Sequence, residues 1–258
     1  MRAVIENLIK YRSFLVSVVA RDIRKKYHGS VLGVAWCILD PVLHTAVIAL
    51  VFSYVLGRNI PNFPLYIMSG RMIFQLTIGA TSTSLHSISK NSGIINKIYT
   101  PKYMFVISDL AVAFINLLFS FIPLIPLMII YRVPIRASLL LIFPVIIVLF
   151  IFTLGLCLIL SAYGLAYKDL SHLYGIFTTL WFYLTPIFYT LDNIDPRFRF
   201  LWRLNPMTHF VQMFRDIVYS GIMPSGDNFM IAGAFALIFF GLGCVIFKER
   251  QDKFFLYL

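Results

Sequence analysis

The chain is 258 residues long, 60% hydrophobic and only 13% charged, with 22 Lys and Arg against 11 Asp and Glu, a formal net charge of +11. Soluble domains run at about one quarter charged, so these few charges cannot cover a compact water-facing particle, and the composition excludes an ordinary soluble enzyme in favour of one membrane domain. The positive excess does not point to nucleic acid, because the basic residues sit at the ends of apolar runs, where they orient spans and meet anionic headgroups.

Residues 1–27 predict a basic amphipathic helix lying in the membrane interface. Val4, Leu8, Leu15, Val18, Val19 and Ile23 share one face, with Lys10, Arg12, Arg21 and Lys25 largely on the other. The apolar stretch 14–20 is short, and Arg21-Asp22-Ile23-Arg24-Lys25-Lys26 follows it where a signal peptide would have a small-residue cleavage site.

A span needs about 20 mostly apolar residues. Six stretches qualify, roughly 34–57, 65–89, 104–131, 138–166, 173–190 and 228–247, which makes the expected fold all-α with six spans. Arg71, Gln75 and His86 interrupt the second. An even number puts both termini on one side. That side collects the N-terminal arm, Lys90, Lys97, Lys102, Lys168 and the tail Lys248, Arg250 and Lys253, and is cytoplasmic by the positive-inside rule. Asp40, Arg71 and Asp109 are ionisable groups inside spans, where such residues face the bundle interior or water. Asp109 is expected to snorkel or to pair with Lys102.

Residues 191–227 carry too much pattern for an ordinary loop. Asp192-Asn193 and Asp195-Pro196 are turn signals. Asn205 can cap, and Pro206 can open, an amphipathic helix over 207–219, with Ser220-Gly221 stopping it. Its apolar face is Phe210, Met213, Phe214, Ile217 and Val218, with Gln212, Arg215 and Asp216 mostly off it. The segment reads either as an interfacial helix pair or as a re-entrant element covering a pathway.

Catalysis by the chain itself is not expected. There is no G-x-x-x-x-G-K-[ST], G-x-S-x-G or H-E-x-x-H. Cys37, Cys157 and Cys244 show no paired spacing, and His28, His44, His86, His172 and His209 show no ligand spacing, so no metal or cofactor is called for.

Residues 21–41 run as a basic helix, Lys26-Tyr27, then Ser30-x-Leu32-Gly33-x-x-Trp36 and Pro41. Together with Thr185-Pro186-Ile187-Phe188-Tyr189, Asn205-Pro206-Met207 and Arg215-Asp216, in that order, this resembles the ABC-type polysaccharide export permeases along the whole chain. The resemblance implies the membrane subunit of an O-antigen or capsule exporter, with teichoic acid the less favoured cargo, in a bacterial inner membrane. It also implies a homodimer working with two separate ATPase chains, which would hold the ATP and Mg, and a lipid-linked glycan commonly joined through pyrophosphate.

Further expectations follow from that resemblance. The 90–101 loop would dock the ATPase through Asn91, Ile94, Ile95, Lys97, Ile98 and Tyr99, with exposed Ile95, Ile98 and Tyr99 covered by the partner or by the membrane surface. Arg21, Arg24, Lys25 and Lys26 would meet the anionic headgroup, or serve only topology and lipid anchoring. Trp36 and Phe74, with the fifth-span group Phe177, Trp181, Phe182, Tyr183, Phe188 and Tyr189, would line the substrate path through the apolar C–H faces of sugars, or form ordinary interfacial belts. Asn205, Pro206 and Arg215 belong to the gate segment. Arg71 departs from the family, where the Gly is followed by an apolar residue, and is expected to contact an acidic glycan or a phosphate near the outer exit. The rivals are an ABC permease for drugs or simple lipids, a secondary carrier, and a membrane-embedded transferase, for which the acidic or His cluster is missing.

Overall fold

The computed structural model describes residues 6–7, 9–55, 60–97, 99–134, 136–191 and 194–256. Val4, Leu8, Ile98 and the Asp192-Asn193 pair lie outside them. Among the described residues the regular structure is entirely helical. The principal helices are α1 (Arg12–Tyr27), α2 (Trp36–Leu50), α3 (Phe63–Ser84), the short α4 (Ser87–Lys90) and α5 (Ser92–Ile95), α6 (Tyr103–Ile130), α7 (Ile142–Gly164), α8 (Leu170–Leu184), α9 (Arg199–Arg203), α10 (Pro206–Val218) and α11 (Gly226–Arg250).

Four helical stretches are long and apolar enough to cross a bilayer: Gly33–Ser53, Tyr103–Ile130, Ala137–Gly164 and Gly226–Phe254. They coincide with the first, third, fourth and sixth expected spans. The other two differ for separate reasons. α3 has 22 residues, but polar groups dilute its hydropathy, and it is buried on nearly all sides. α8 has only 15 residues, about 22 Å at 1.5 Å per residue. That is short of a hydrocarbon core about 30 Å thick. The expected boundary at residue 190 was too generous, because Pro186 cannot donate into a helix and the turn before it is already extended at Thr185. Likewise the expected 65–89 stretch ends as a helix at Ser84 and restarts as α4.

α3 is the centre of the fold. α2, α6, α7, α8 and α10 all pack on it, which is why Leu65, Ile67, Met68, Ile73 and Ala80 are almost wholly buried. α1 lies across the start of α6, with Val18 buried and Phe14 edge-on to Phe105 at 5.5 Å between centroids. α10 packs against α3, α7 and α11, so it sits inside the bundle rather than on its surface. Here Arg215, expected off the apolar face, is 4% exposed; the helix buries both faces because helices cover it on more than one side.

α7 and α11 approach each other closely, and glycine permits it. A Cβ on Gly155 would lie 2.5 Å from the Phe239 carbonyl, and one on Gly243 would lie 2.5 Å from the Gly155 oxygen. Lipid gives no hydrophobic drive for helix association, so close van der Waals approach at small residues supplies it. Gly155→Ala should therefore push the helices apart at a cost of about 1–3 kcal/mol, read as a lower melting temperature of the purified protein. Gly233→Ala on α11, which meets open space, is the control and should be neutral or slightly stabilising.

Candidate functional site

A cavity of about 810 Å³ lies between α1, α2, α3 and α6. Its wall is set by helical periodicity. Arg71, Gln75, Gly79 and Thr83 recur every four residues on α3, and Asp109, Ala113, Asn116 and Ser120 follow three- and four-residue steps on α6. Trp36, Asp40 and Thr45 close it from α2, and Arg21, Lys25, Lys26 and Tyr27 from α1. From Met68 to Thr83 the α3 wall runs about 22 Å.

One end of the cavity is basic and internally tied. Arg21 pairs with Asp22 at 2.7 Å and donates to Asn91 Oδ1 at 2.8 Å. Lys90 stands 3.4 Å from Asp22 and pairs with the buried carboxylate of Asp109. Asp109 thus takes Lys90 and not Lys102, whose ammonium instead donates to the Gln251 carbonyl. Lys25 and Lys26 are exposed beside this network. Arg24 does not line the cavity; its Nε donates to the Ala20 carbonyl one turn back on α1. Burial, followed by the Cys37 thiol 2.8 Å away, pushes the Tyr27 phenol above its ordinary pKa, so it stays neutral.

The other part of the cavity holds a second ion pair. Arg71 and Asp40, which the sequence marks separately, stand 3.6 Å apart, and His44 Nε2 is 3.3 Å from the same carboxylate. Arg71 lies eight residues into α3, about 12 Å from its start, and three residues from Met68, where the α3 wall of the cavity begins.

The loop residues divide. Lys97 and Tyr99 are exposed, Tyr99 at 94%. Ile94 is half-buried. Ile95, expected to be exposed, is 8% exposed and part of the core, and Asn91 is buried under its bonds to Arg21 and the Ser87 carbonyl. The two short helices turn their apolar side inward, which removes both from any docking face. Ile98 is outside the described residues.

Of the aromatic residues expected on the path, only Trp36 lines this cavity. Phe74 is buried against Trp181 and Phe182 at 5.9 and 5.5 Å between centroids. Phe188 and Tyr189 continue that cluster, while Phe177 and Tyr183 face outward from α8. They form a separate apolar seam between α3 and α8, with one side exposed.

Three motifs far apart in sequence form one polar unit beside that seam. Asn205 Oδ1 accepts from Trp181 Nε1 at 2.8 Å and from the Met207 amide at 3.0 Å, and its amide donates to Thr185 Oγ1 at 3.1 Å. Pro206 opens α10 directly after this cap. Arg215 donates to the carbonyls of Tyr66 at 3.1 Å, Ile187 at 2.6 Å and Pro186, with its guanidinium 3.6 Å over the Tyr66 ring. Five N–H donors in a fixed fork satisfy the Pro186 and Ile187 carbonyls, which the helix break leaves without a helical partner. Sequence reasoning placed Asn205, Pro206 and Arg215 together as a gate. It missed that their partners are Tyr66 and the 185–187 turn. It also missed Thr45, Gln75 and Asn116 in the cavity, although the four-residue polar spacing on the second span was a usable signal.

The family model described as ABC-2 type transporter matches residues 14–219. The chain is 30% identical to the O-antigen export system permease protein RfbA of Myxococcus xanthus, over 98% of each chain. It is 27% identical to the protein of that name from Klebsiella pneumoniae, over 96% of each. It is 23% identical to the polysialic acid transport protein KpsM of Escherichia coli, over 90% of this chain and 91% of that one.

Arg215→Met leaves at least two buried carbonyls unsatisfied and should cost about 3 kcal/mol. A Cβ on Gly70 would meet Arg215 Nη2 at 2.5 Å, so Gly70→Ala should displace the same guanidinium. Thermal unfolding of both single variants and the double one checks this: the two losses should fall well short of additive.

Proposed function

This chain belongs to the ABC-2 type transporter family, and from that membership we propose that it is the membrane-spanning permease subunit of an ATP-driven exporter that moves a lipid-linked polysaccharide, O-antigen or capsule, across the bacterial inner membrane. The observation that carries the reading is its end-to-end similarity to permeases named for O-antigen export and polysialic acid transport. The chemistry of the cavity agrees with that cargo. Moving phosphate and hydroxyls through hydrocarbon is very costly, and a cavity with a basic end and with charged and hydroxyl side chains on its wall lowers that cost.

Six spans serve this reading, with α3 and α8 as the two that composition alone does not mark. α3 is sheltered by its neighbours. The non-helical turn after α8 is tolerable at membrane depth because Arg215 and Asn205 satisfy its carbonyls, and α10 then acts as a re-entrant gate element. Both termini are cytoplasmic by charge. The permease works as a homodimer, since a two-fold axis is the simplest way to enclose a path between six-span units. The two copies meet through the exposed apolar faces of α8 (Ile176, Leu180, Tyr183) and α2 (Val42, Leu43, Val47). ATP and Mg are held by two partner ATPase chains, which engage the loop around Lys97 and Tyr99.

A deletion strain complemented with each permease version tests this. Loss of the chain should trap glycan inside the cell. Tyr99→Ala should weaken co-purification of the neighbouring ATPase by about tenfold, as expected for an anchoring aromatic, and lower surface glycan with it. Unchanged surface glycan in the deletion strain would sink the proposal.

A further inference from the structure

We propose that the part of the cavity around Arg71 and Asp40 is a subsite for a neutral, hydroxyl-rich ring: the sugar next to the phosphates of the lipid-linked substrate. The inference rests on the exporter reading and makes it more specific. The basic end carries Arg21, Lys25, Lys26 and Lys90 against only Asp22 and Asp109, a positive excess that suits phosphates. The region around Arg71 does not suit them, because Asp40 stands 3.6 Å from the guanidinium and balances it. An anion there would meet the Asp40 carboxylate, and a cation would meet Arg71. A hydroxylated ring meets neither difficulty. Arg only donates and an ionised Asp only accepts, while adjacent ring hydroxyls do both. This replaces the acidic-glycan role expected for Arg71.

Two further observations point into the same space. Thr45 is 4% exposed, lines the cavity, and its hydroxyl has no hydrogen-bond partner in the chain. Buried polar groups are ordinarily paired, so an orphan on a cavity wall asks for a ligand. One turn earlier, Pro41 has no N–H to give the Cys37 carbonyl, and both residues line the cavity. Trp36, 40% exposed, offers an indole for the apolar C–H face of a sugar, and Gln75 adds an exposed amide. From Arg71 to Thr83 the α3 wall runs about 18 Å, which lets phosphate and sugar occupy opposite ends of one continuous cavity.

The test uses the full permease with its ATPase in lipid nanodiscs and three synthetic probes: farnesyl diphosphate, the same lipid carrying N-acetylglucosamine, and the same lipid carrying glucuronic acid. The N-acetylglucosamine probe should bind about tenfold more tightly than the bare diphosphate. Thr45→Val, which removes no internal bond and keeps the side-chain shape, should reduce that advantage roughly two- to tenfold. The double change Asp40→Asn with Arg71→Gln should abolish it. Neither should alter binding of bare farnesyl diphosphate, whereas Lys25→Gln with Lys26→Gln should weaken all three probes alike. Equal wild-type affinity for bare and sugar-bearing lipid would overturn the subsite and leave the exporter reading standing. Tighter binding of the glucuronic acid probe than the neutral one would overturn the charge-balance argument. Failure of all three probes to bind would remove both the subsite and the lipid-linked cargo.

Discussion

Pro186 ends α8 near Leu184, and the carbonyls of Pro186 and Ile187 are left without donors from their own helix. In water that would be unremarkable. In a bilayer, an unpaired carbonyl costs several kcal/mol, and an irregular turn survives only where protein supplies the missing bonds. Arg215 supplies them from α10, and it adds the Tyr66 carbonyl on α3. One guanidinium therefore binds the break after α8, α3 and the helix that follows the 191–205 segment. Asn205 fastens the other end of the same joint through Trp181 and Thr185. The charge needs no carboxylate, because three carbonyl dipoles and the Tyr66 ring face surround it.

That joint decides what α3 can present elsewhere. One flank of α3 is committed to α10 and α8, with Gly70 making room for Arg215, and another is packed on α7. Its remaining flank carries Arg71, Gln75, Gly79 and Thr83 and is the polar wall of the cavity. A single helix therefore separates a sealed side, where backbone groups are satisfied by protein, from a side where polar groups face open space.

At the basic end of the cavity, the loop after α3 is bonded to the first helix of the chain. Arg21 holds Asn91, and Lys90 joins Asp22 to Asp109. Lys90 and Asn91, where the loop that bears Tyr99 begins, are thus bonded to α1. In the exporter reading, this connects the surface that meets the ATPase with the place where phosphate would arrive, without any long pathway.

Much was legible in the sequence. Low charge and long apolar runs determine an all-helical membrane protein, since only helices or closed barrels satisfy the backbone in lipid. Asn205-Pro206 marks the start of α10 through local capping chemistry. Arg71 and Asp40 announce a polar interior because ionisable groups in spans have few other places to go. Tertiary structure alone decided their partners. Asp109 chose Lys90 over Lys102, Arg71 met Asp40, and Arg215 turned inward although helical periodicity put it outside. It also buried Asn91 and Ile95 and set the aromatics of α8 and the turn after it apart from the cavity. Periodicity says which residues share a face; which face is covered depends on the helices that pack there, and those come from distant parts of the chain.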